Sequence, residues 1–512
     1  MLLSAYHGSL WDATSPRTSY QPLRGDIAVD VAIVGAGITG LTAALRLVEE
    51  GSRVAVIEMH RIAGGETGRT TAHLTEMVDG RYTAINGDFG VEGGRLVAES
   101  SRDAMDWIER TIAALSVACG FERVPGFLYT EREDDVEMVR EEVEQASRAG
   151  IAAKFTRDVP LPFAARGALR VERQAQFHVR EYLLPVAARI AERGGLVFER
   201  TRAVSVDDGE PCRVVTEHGT VTARAVIVAT NVPMNRVALI TKLPAYRSYA
   251  LGVRLAGEAP RGLFWDTDDP YHYTRTHRVQ NRDVVIIGGE DHKTGVTADT
   301  GRCYEALASY ARSRFAVEQI EYRWSGQIIE PVDGLPYVGL NTASRHVYVA
   351  TGFAGNGMTF GTLAGLLTAD LALGRPNPYA ELYDATRVKP IAAAKDYVAE
   401  NVDFPTHLVK DRLTRHNVES HDPAGVSPGT GRIVAIDGRK YAVYRDEQGT
   451  AHAFSPVCPH MGCDVAWNSA ERTWDCPCHG SRFGARGDLI NGPAAMPLDP
   501  VEIPQGVGDR RD

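Results

Sequence analysis

The segment from Asp26 to Glu58 restricts the possible folds of this chain more than any other part of the sequence. Its apolar run from Val29 to Val34 predicts a buried parallel strand. After a glycine-rich turn, apolar residues recur at helical spacing, and the run from Val54 to Ile57 predicts a second buried strand. A strand, a helix and a strand in this order predict an α/β domain built on a parallel sheet.

The turn inside this unit has the spacing GxGxxG. Gly35 permits the tight turn, Gly37 lets the backbone approach a pyrophosphate, and Gly40 lets the helix pack closely on the strand. Phosphates favour the helix N-terminus because its N–H groups are free, and Glu58 can accept from a ribose hydroxyl. The pattern predicts a dinucleotide site without distinguishing NAD from FAD. A glycine turn in an unrelated α/β fold is the alternative.

Four of the seven cysteines lie within 21 residues, interleaved with two histidines. In chain order this group contains Cys458, His460, Cys463, Cys476, Cys478 and His479. A Rieske 2Fe-2S centre needs two thiolates on one iron and two imidazoles on the other. Cys458 with His460, and Cys476 with His479, supply one sulfur and one nitrogen from each of two loops. A zinc site with four ligands chosen from the six candidates is the alternative.

The two loops resemble the paired loops of Rieske proteins over about residues 430–505. In the Rieske proteins of respiratory and photosynthetic cytochrome complexes, cysteines at the positions of Cys463 and Cys478 form a disulfide, so the resemblance implies that bond here. It also implies that Ser481 donates a hydrogen bond to a cluster sulfur. Phe483 lies near the place where many of these proteins have a tyrosine, and losing that hydroxyl would lower the reduction potential.

Residues 26–385 resemble the D-amino acid oxidase (DAO) family of FAD enzymes in several segments. These are the loop from Gly64 to Thr71, the strands around Gly126–Tyr129 and Val226–Asn231, the Trp324–Pro336 stretch and the loop Thr351–Thr359. The resemblance implies FAD as the cofactor. Besides the glycine turn and Glu58, it implies FAD contacts from Gly65, Thr67, Arg69, Thr70, Thr71, Val204, Thr230, Gly352, Gly355, Asn356, Gly357, Met358 and Thr359.

The family fold interleaves two domains, and the resemblance predicts the same arrangement here. The predicted Rossmann-like α/β FAD domain comprises 26–81, 176–240 and 326–385, and the α+β substrate domain comprises 82–175 and 241–325. A linker, 386–425, precedes an all-β Rieske domain, 426–512.

Members of the family oxidise a C–N bond of amines or amino acids, and some oxidise a C–OH bond. We therefore predict a small amine or amino acid substrate, with electrons passing from FAD to the cluster and on to an unidentified external acceptor. His73 and Tyr273 are the candidate catalytic residues, and Arg247 or Arg275 could bind a substrate carboxylate.

Two departures from the family pattern refine this prediction. Some members tether FAD through a cysteine in the segment that corresponds to Ser325–Glu330, and no cysteine stands there, which predicts non-covalent FAD. Some oxidases carry a lysine on the strand that matches Val284–Gly289 and here contains none. Its absence favours a dehydrogenase over an oxidase.

Three other function classes remain open at this stage. The flavin could react directly with oxygen while the cluster is structural or senses redox state, or the protein could be an electron carrier or partner-binding protein without its own small-molecule substrate. A Rieske oxygenase needs two histidines and a carboxylate for a mononuclear iron, and His416, Glu419 and His421 are the only close group of that kind.

Composition excludes some partners and predicts a compartment. The net charge of −10 argues against nucleic-acid binding, which needs a basic surface. The sequence has no apolar run long enough to predict a membrane span, and its first residues lack a signal-peptide pattern. We therefore expect a cytoplasmic protein.

Overall fold

The computed structural model describes residues 5–234, 237–297, 299–388 and 425–503. Most of the predicted linker, together with His416, Glu419 and His421, lies outside the described residues. Among the described residues, no helix combines the length and the apolar character needed to cross a lipid bilayer.

The flavin and substrate parts contain all eight α-helices of the described residues. The helices are α1 (Leu10–Thr14), α2 (Ile38–Glu49), α3 (Tyr82–Leu115), α4 (Val136–Arg148), α5 (Val179–Glu192), α6 (Val237–Ile240), α7 (Gly301–Arg314) and α8 (Gly357–Ala372). Their strands are β1 (Tyr6–His7), β2 (Ile27–Val34), β3 (Val54–Ile57), β4 (His73–Leu74), β5 (Glu122–Thr130), β6 (Lys154–Thr156), β7 (Gly167–Gln176), β8 (Leu196–Phe198), β9 (Ala203–Asp207), β10 (Cys212–Thr216), β11 (Gly219–Val228), β12 (Ala245–Leu255), β13 (Leu263–Asp266), β14 (His272–Val279), β15 (Arg282–Lys293), β16 (Val317–Ile329), β17 (Tyr337–Leu340) and β18 (Val347–Thr351). Short 3₁₀ helices occur at Glu66–Arg69, Glu133–Asp135 and Ala354–Asn356.

An eight-stranded sheet forms the centre of the flavin part. Its main path runs β17-β18-β11-β2-β3-β8, and β9 and β10 extend it beside β11. The strands β18, β11, β2, β3 and β8 are parallel, as the buried apolar runs predict. On one face α2 packs against α8, where a Cβ at Gly365 would lie only 2.6 Å from the Thr39 carbonyl oxygen. This close packing fixes the N-terminus of α2 above the sheet.

A ten-stranded, mostly antiparallel sheet forms the substrate part. Its order is β1-β16-β12-β15-β14-β13-β5-β7-β4, with β6 paired to β7. All of its long strands come from segments that the sequence assigns to the substrate domain, although β16 continues across the predicted boundary at residue 326. The exact boundaries of the interleaved domains stay a prediction.

Residues 425–503, the last part of the chain that the structure describes, consist only of strands and loops. β19 (Gly431–Ile436), β20 (Arg439–Arg445) and β21 (Ala451–Phe454) form one sheet. β22 (Ala466–Asn468), β23 (Thr473–Asp475), β24 (Arg482–Gly484) and β25 (Leu489–Asn491) form another. Trp474 is fully buried in the core of this unit. The predicted combination of an α/β domain, an interleaved α+β part and an all-β domain is confirmed.

Candidate functional site

The glycine turn between β2 and α2 leaves open the space that a phosphate group needs. A Cβ at Gly40 would lie 1.9 Å from the Gly35 carbonyl oxygen, and one at Gly37 would lie 2.7 Å from Thr67 Oγ1. Ile38 N donates to Thr67 Oγ1 at 3.1 Å, while the N-cap residue Gly37 offers no side chain to the helix N-terminus. The N–H groups in the first turn of α2 that have no partner within the helix can therefore bind an anion.

Glu58 is held in place at the end of β3. One of its carboxylate oxygens accepts from Ala36 N at 2.9 Å, and the other accepts from His60 N at 2.8 Å. Burial raises the pKa of Glu58, and the two backbone hydrogen bonds oppose that shift. Each oxygen keeps a second lone pair, so the fixed carboxylate can still accept from the hydroxyls of a ribose.

One continuous pocket extends from the glycine turn to the substrate sheet. Of the residues predicted to contact FAD, it is lined by Gly35, Gly37, Glu58, Gly65, Thr67, Arg69, Thr70, Thr71, Thr230, Gly355, Asn356, Gly357 and Met358. Four others do not line it. Gly40 packs α2 on β2, Gly352 forms a turn with φ of 75°, Thr359 exchanges hydrogen bonds with the Thr75 backbone, and Val204 follows the lining residue Ala203.

Several buried polar atoms of the pocket residues have no hydrogen-bond partner within the part of the chain that the structure describes. They are His73 Nε2, Arg202 Nε, Asn231 Nδ2 and Gln327 Oε1. Leaving such an atom unsatisfied costs about 1–3 kcal/mol, so these positions fit a ligand with hydrogen-bonding groups along its length. FAD has such groups in its pyrophosphate, ribityl chain and ring edge, and the glycine cradle fits its phosphates.

A prediction follows for the glycine turn. In the Gly37→Val variant the new side chain meets Thr67 and fills the space next to the helix N-terminus, so FAD affinity should fall at least about tenfold, or about 1.4 kcal/mol. FAD absorbance per purified chain measures the change. Gly87→Ala is the matched control, because no atom lies within 4 Å of a Cβ built there. Normal FAD content in Gly37→Val would contradict this assignment.

The two candidate catalytic residues, His73 and Tyr273, lie side by side at the substrate end of the pocket. Their rings are 5.7 Å apart between centroids, and the Tyr273 hydroxyl is 2.8 Å from Ser248 Oγ. Burial lowers the pKa of His73 and raises that of Tyr273, so both side chains are neutral near pH 7. They can form hydrogen bonds with a substrate, whereas neither is poised as a strong base.

The interpretation of Arg275 and Arg247 as binders of a substrate carboxylate is not supported by the structure. The Arg275 guanidinium donates to the Ala72 carbonyl at 2.7 Å and lies over the Trp11 ring. Arg247 pairs with Glu471 from the all-β domain. Neither arginine lines the pocket, because each is used to join segments that are distant in the sequence.

The structure brings the four proposed cluster ligands together from two loops. The His460 and His479 rings are 5.0 Å apart between centroids and perpendicular, and Cys458 and Cys476 are buried free cysteines. Each loop is closed by backbone hydrogen bonds, such as Cys476 N to the Ser481 carbonyl at 2.8 Å. Burial lowers the pKa of both histidines to about 4, which keeps them neutral as metal ligands must be.

Cys463 and Cys478 form a disulfide that joins the two loops, with their Cα atoms 6.5 Å apart. The donor set that remains is two sulfurs and two nitrogens, which suits an iron–sulfur cluster or zinc. Ser481 Oγ accepts from Ala494 N at 3.0 Å, so its hydroxyl hydrogen can be donated toward the neighbouring Cys458 sulfur. Phe483 is fully buried.

The loop that carries His479 packs directly on the wall of the flavin pocket. Gln327 lines that pocket and donates from Nε2 to the Gly480 carbonyl at 2.8 Å. Asn491 donates to Glu66 at 2.8 Å across the same boundary. Residues of the all-β domain between 489 and 495 complete the lining of the pocket. Sequence reasoning missed Gln327 and Asn491, since no local motif marks a contact between distant segments.

A buried group of charged side chains around Glu471 joins the substrate sheet to the all-β domain. Glu471 accepts from Arg247 at 2.6 Å, from Arg482 at 2.5 Å, and from Ser325. Burial would raise the pKa of Glu471, but the two arginines and Arg69 keep it below its ordinary value. Since Arg247 belongs to the substrate sheet and Arg482 to the all-β domain, Glu471 is shared between the two units.

Comparison with known proteins identifies a flavin part and a Rieske part in the chain. The family model for FAD dependent oxidoreductase (DAO) matches residues 30–371, and the Rieske [2Fe-2S] domain model matches residues 418–502. The chain is 33% identical to a Bacillus subtilis (strain 168) protein with the provisional name Rieske 2Fe-2S iron-sulfur protein YhfW, over 96% of this chain and 97% of that protein.

Two further relatives match the flavin part of the chain. Gamma-glutamylputrescine oxidoreductase of Escherichia coli (strain K12) is 27% identical over 75% of this chain and 91% of its own length. The crystal structure of glycine oxidase from Geobacillus kaustophilus superimposes with a TM-score of 0.60 at 19% identity, covering 70% of this chain and 99% of that one. The cofactors are therefore FAD and a Rieske 2Fe-2S cluster. With one family model spanning most of its length and a relative aligned from end to end, the chain belongs to the DAO family of FAD-dependent oxidoreductases and carries a Rieske domain after the flavin part.

Proposed function

We propose that this enzyme oxidises a small amine or amino acid at the carbon next to nitrogen and that the electrons leave through the Rieske cluster to an external acceptor. The observation that carries the proposal is the hydrogen bond from Gln327, in the flavin pocket, to Gly480, which follows the cluster ligand His479. Through this contact, one hydrogen bond and a few covalent bonds connect the flavin pocket to His479. The kinds of substrate named for the E. coli and Geobacillus relatives support the C–N class.

The residues around the pocket have separable tasks in this reaction. Oxidation requires the ammonium nitrogen to release a proton to solvent and the neighbouring carbon to lose a hydride, which leaves an iminium group that water converts to a carbonyl compound and a free amine. FAD bound in this pocket would supply the hydride acceptor and could pass the two electrons on singly, as a one-electron cluster requires. Neutral His73, together with Tyr273 held by Ser248, can orient the substrate nitrogen. Residues of the Rieske domain between 489 and 495 form part of the pocket wall.

An anaerobic titration of the holoenzyme with pooled amines and amino acids tests the proposal. We expect one pool to bleach the flavin absorbance and then to produce the electron paramagnetic resonance signal of a reduced Rieske cluster. If the flavin bleaches while the cluster stays oxidised, and peroxide forms rapidly in air, the oxidase alternative is correct. If only a protein donor reduces the enzyme, it acts as an electron carrier.

Substitution of Gln327 should separate electron transfer from substrate oxidation. In Gln327→Leu the hydrogen bond to Gly480 is lost and leucine cannot replace it, so we expect cluster reduction to slow severalfold relative to flavin bleaching. Because Gln327 also lines the flavin pocket, the two rates are compared in protein fully loaded with FAD. Stopped-flow absorbance measures both steps. Gln319→Leu, on the exposed part of the same strand β16, is the matched control. Unchanged cluster reduction in Gln327→Leu would show that electrons take another route.

A further inference from the structure

Aromatic rings line the substrate end of the pocket. The His73 ring lies 5.2 Å from Trp265 and 5.7 Å from Tyr273, and Tyr271 lies 5.8 Å from Tyr273, between centroids. Gly288 gives the Tyr273 ring its room, because a Cβ there would meet that ring at 2.2 Å. The faces of such rings attract a cation, and groups of them bind alkylated ammonium ions.

Two carboxylates accompany these rings. Asp79 lines the pocket and accepts from Gly355 N at 2.5 Å. Asp291 does not line the pocket but lies buried behind Ser248 and Tyr271, which do, and both of these residues lower its pKa by hydrogen bonding. Burial nevertheless raises the pKa of Asp79 to about 6 and that of Asp291 to about 7, so the region is negatively charged from neutral pH upward. A buried carboxylate is costly unless hydrogen bonds or a cation compensate its charge.

A partner for a substrate carboxylate is missing from this end of the pocket as far as the structure describes it. The two arginines that line the pocket are Arg69 and Arg202. Arg202 is paired with Glu217, and Arg69 interacts with the interdomain carboxylate Glu471. Arg275 lies behind the pocket and is occupied by backbone carbonyls. An α-carboxylate would therefore meet Asp79 at the pocket surface, with Asp291 behind Ser248 and Tyr271, and no arginine of the described lining is free to pair with it there.

From this arrangement we infer that the pocket selects a cationic amine that has no carboxylate on the carbon next to its nitrogen. The inference rests on the proposed function and narrows its substrate class. The rings and Asp79 line the space for the ammonium group, and Asp291 adds negative charge from behind Ser248 and Tyr271. His73 Nε2, which has no partner among the described residues, can accept a hydrogen bond from the ammonium group. An α-amino acid has the same ammonium group and is disfavoured by repulsion between its carboxylate and the two aspartates.

Binding of a matched pair of compounds to the oxidised holoenzyme tests the inference. Butylamine and norvaline differ only by the α-carboxylate, and each is titrated without oxygen while the flavin spectrum is recorded. We expect a dissociation constant at least tenfold lower for butylamine. In Asp291→Asn this preference should shrink to within about threefold, since roughly a tenfold change corresponds to one lost charge interaction of about 1.4 kcal/mol.

Asp283→Asn is the control variant, because Asp283 lies on the same strand β15 and is paired with Arg261 at the surface. It should keep the full preference. Equal or tighter binding of norvaline, no response to butylamine, or an unchanged preference in Asp291→Asn would overturn the inference. The binding measurement requires no turnover. If butylamine binds but is not oxidised, the proposed function alone is refuted. If norvaline binds tightly and is oxidised, the inference alone is refuted.

Discussion

Replacing His479 with alanine is expected to abolish the electron paramagnetic resonance signal of the reduced Rieske cluster while FAD stays bound. In the proposed ligand set His479 supplies one of two imidazoles, and alanine cannot ligate iron. Losing even a residue that only hydrogen-bonds to a metal ligand weakens metal binding about 10–100-fold. Losing a ligand should therefore lower the iron content at least about tenfold. Because His479 does not line the flavin pocket, an amine that reduces the enzyme should still bleach the flavin.

The matched control for this prediction is His452→Ala. His452 lies on β21 of the same domain, is partly exposed and pairs with Asp446 at 3.0 Å. It should keep the full signal and iron content. A His479→Ala protein with a normal Rieske signal would show that the proposed ligand set is wrong.

The Glu471→Gln variant is expected to lose about 3–5 kcal/mol of unfolding free energy, which is the usual cost of removing one partner of a buried ion pair. Glutamine keeps the shape of the side chain but leaves the buried charges of Arg247 and Arg482 with one carboxylate fewer. Denaturant unfolding of the holoenzyme measures the loss. Since Glu471 joins the two units, we also expect the Rieske domain to become more accessible to protease.

Glu447→Gln separates this effect from a general loss of surface charge. Glu447 is paired with Arg472 on the exposed side of the same domain, and such surface pairs contribute about 0–1 kcal/mol. If both variants lose the same small amount, the Glu471 group does not hold the domains together.

The sites that could be read from the sequence are those in which neighbours along the chain also lie together in space. Gly35, Gly37 and Glu58 belong to one strand–helix–strand unit, and Cys458 with His460 belongs to one loop. For such groups, spacing and chemistry are nearly sufficient. The DAO and Rieske resemblances added the order of the segments, which periodicity alone does not give.

The parts that the sequence did not reveal depend on contacts between remote segments. Gln327 and Gly480 are 153 residues apart in the chain, and Arg247 and Glu471 are 224 apart. Arg275 looked like a carboxylate binder because a sequence shows a charge without its partners. Only the folded chain shows that backbone carbonyls and the Trp11 ring already occupy its guanidinium.

The wall of the flavin pocket is completed by residues 489–495 of the Rieske domain. A ligand that binds only the assembled pocket stabilises the assembly by mass action. FAD binding and domain contact are therefore thermodynamically linked: saturation with FAD should raise the melting temperature of the Rieske domain, and loosening of that domain should let FAD dissociate. The cluster domain is in this sense also a determinant of how long the enzyme retains its flavin.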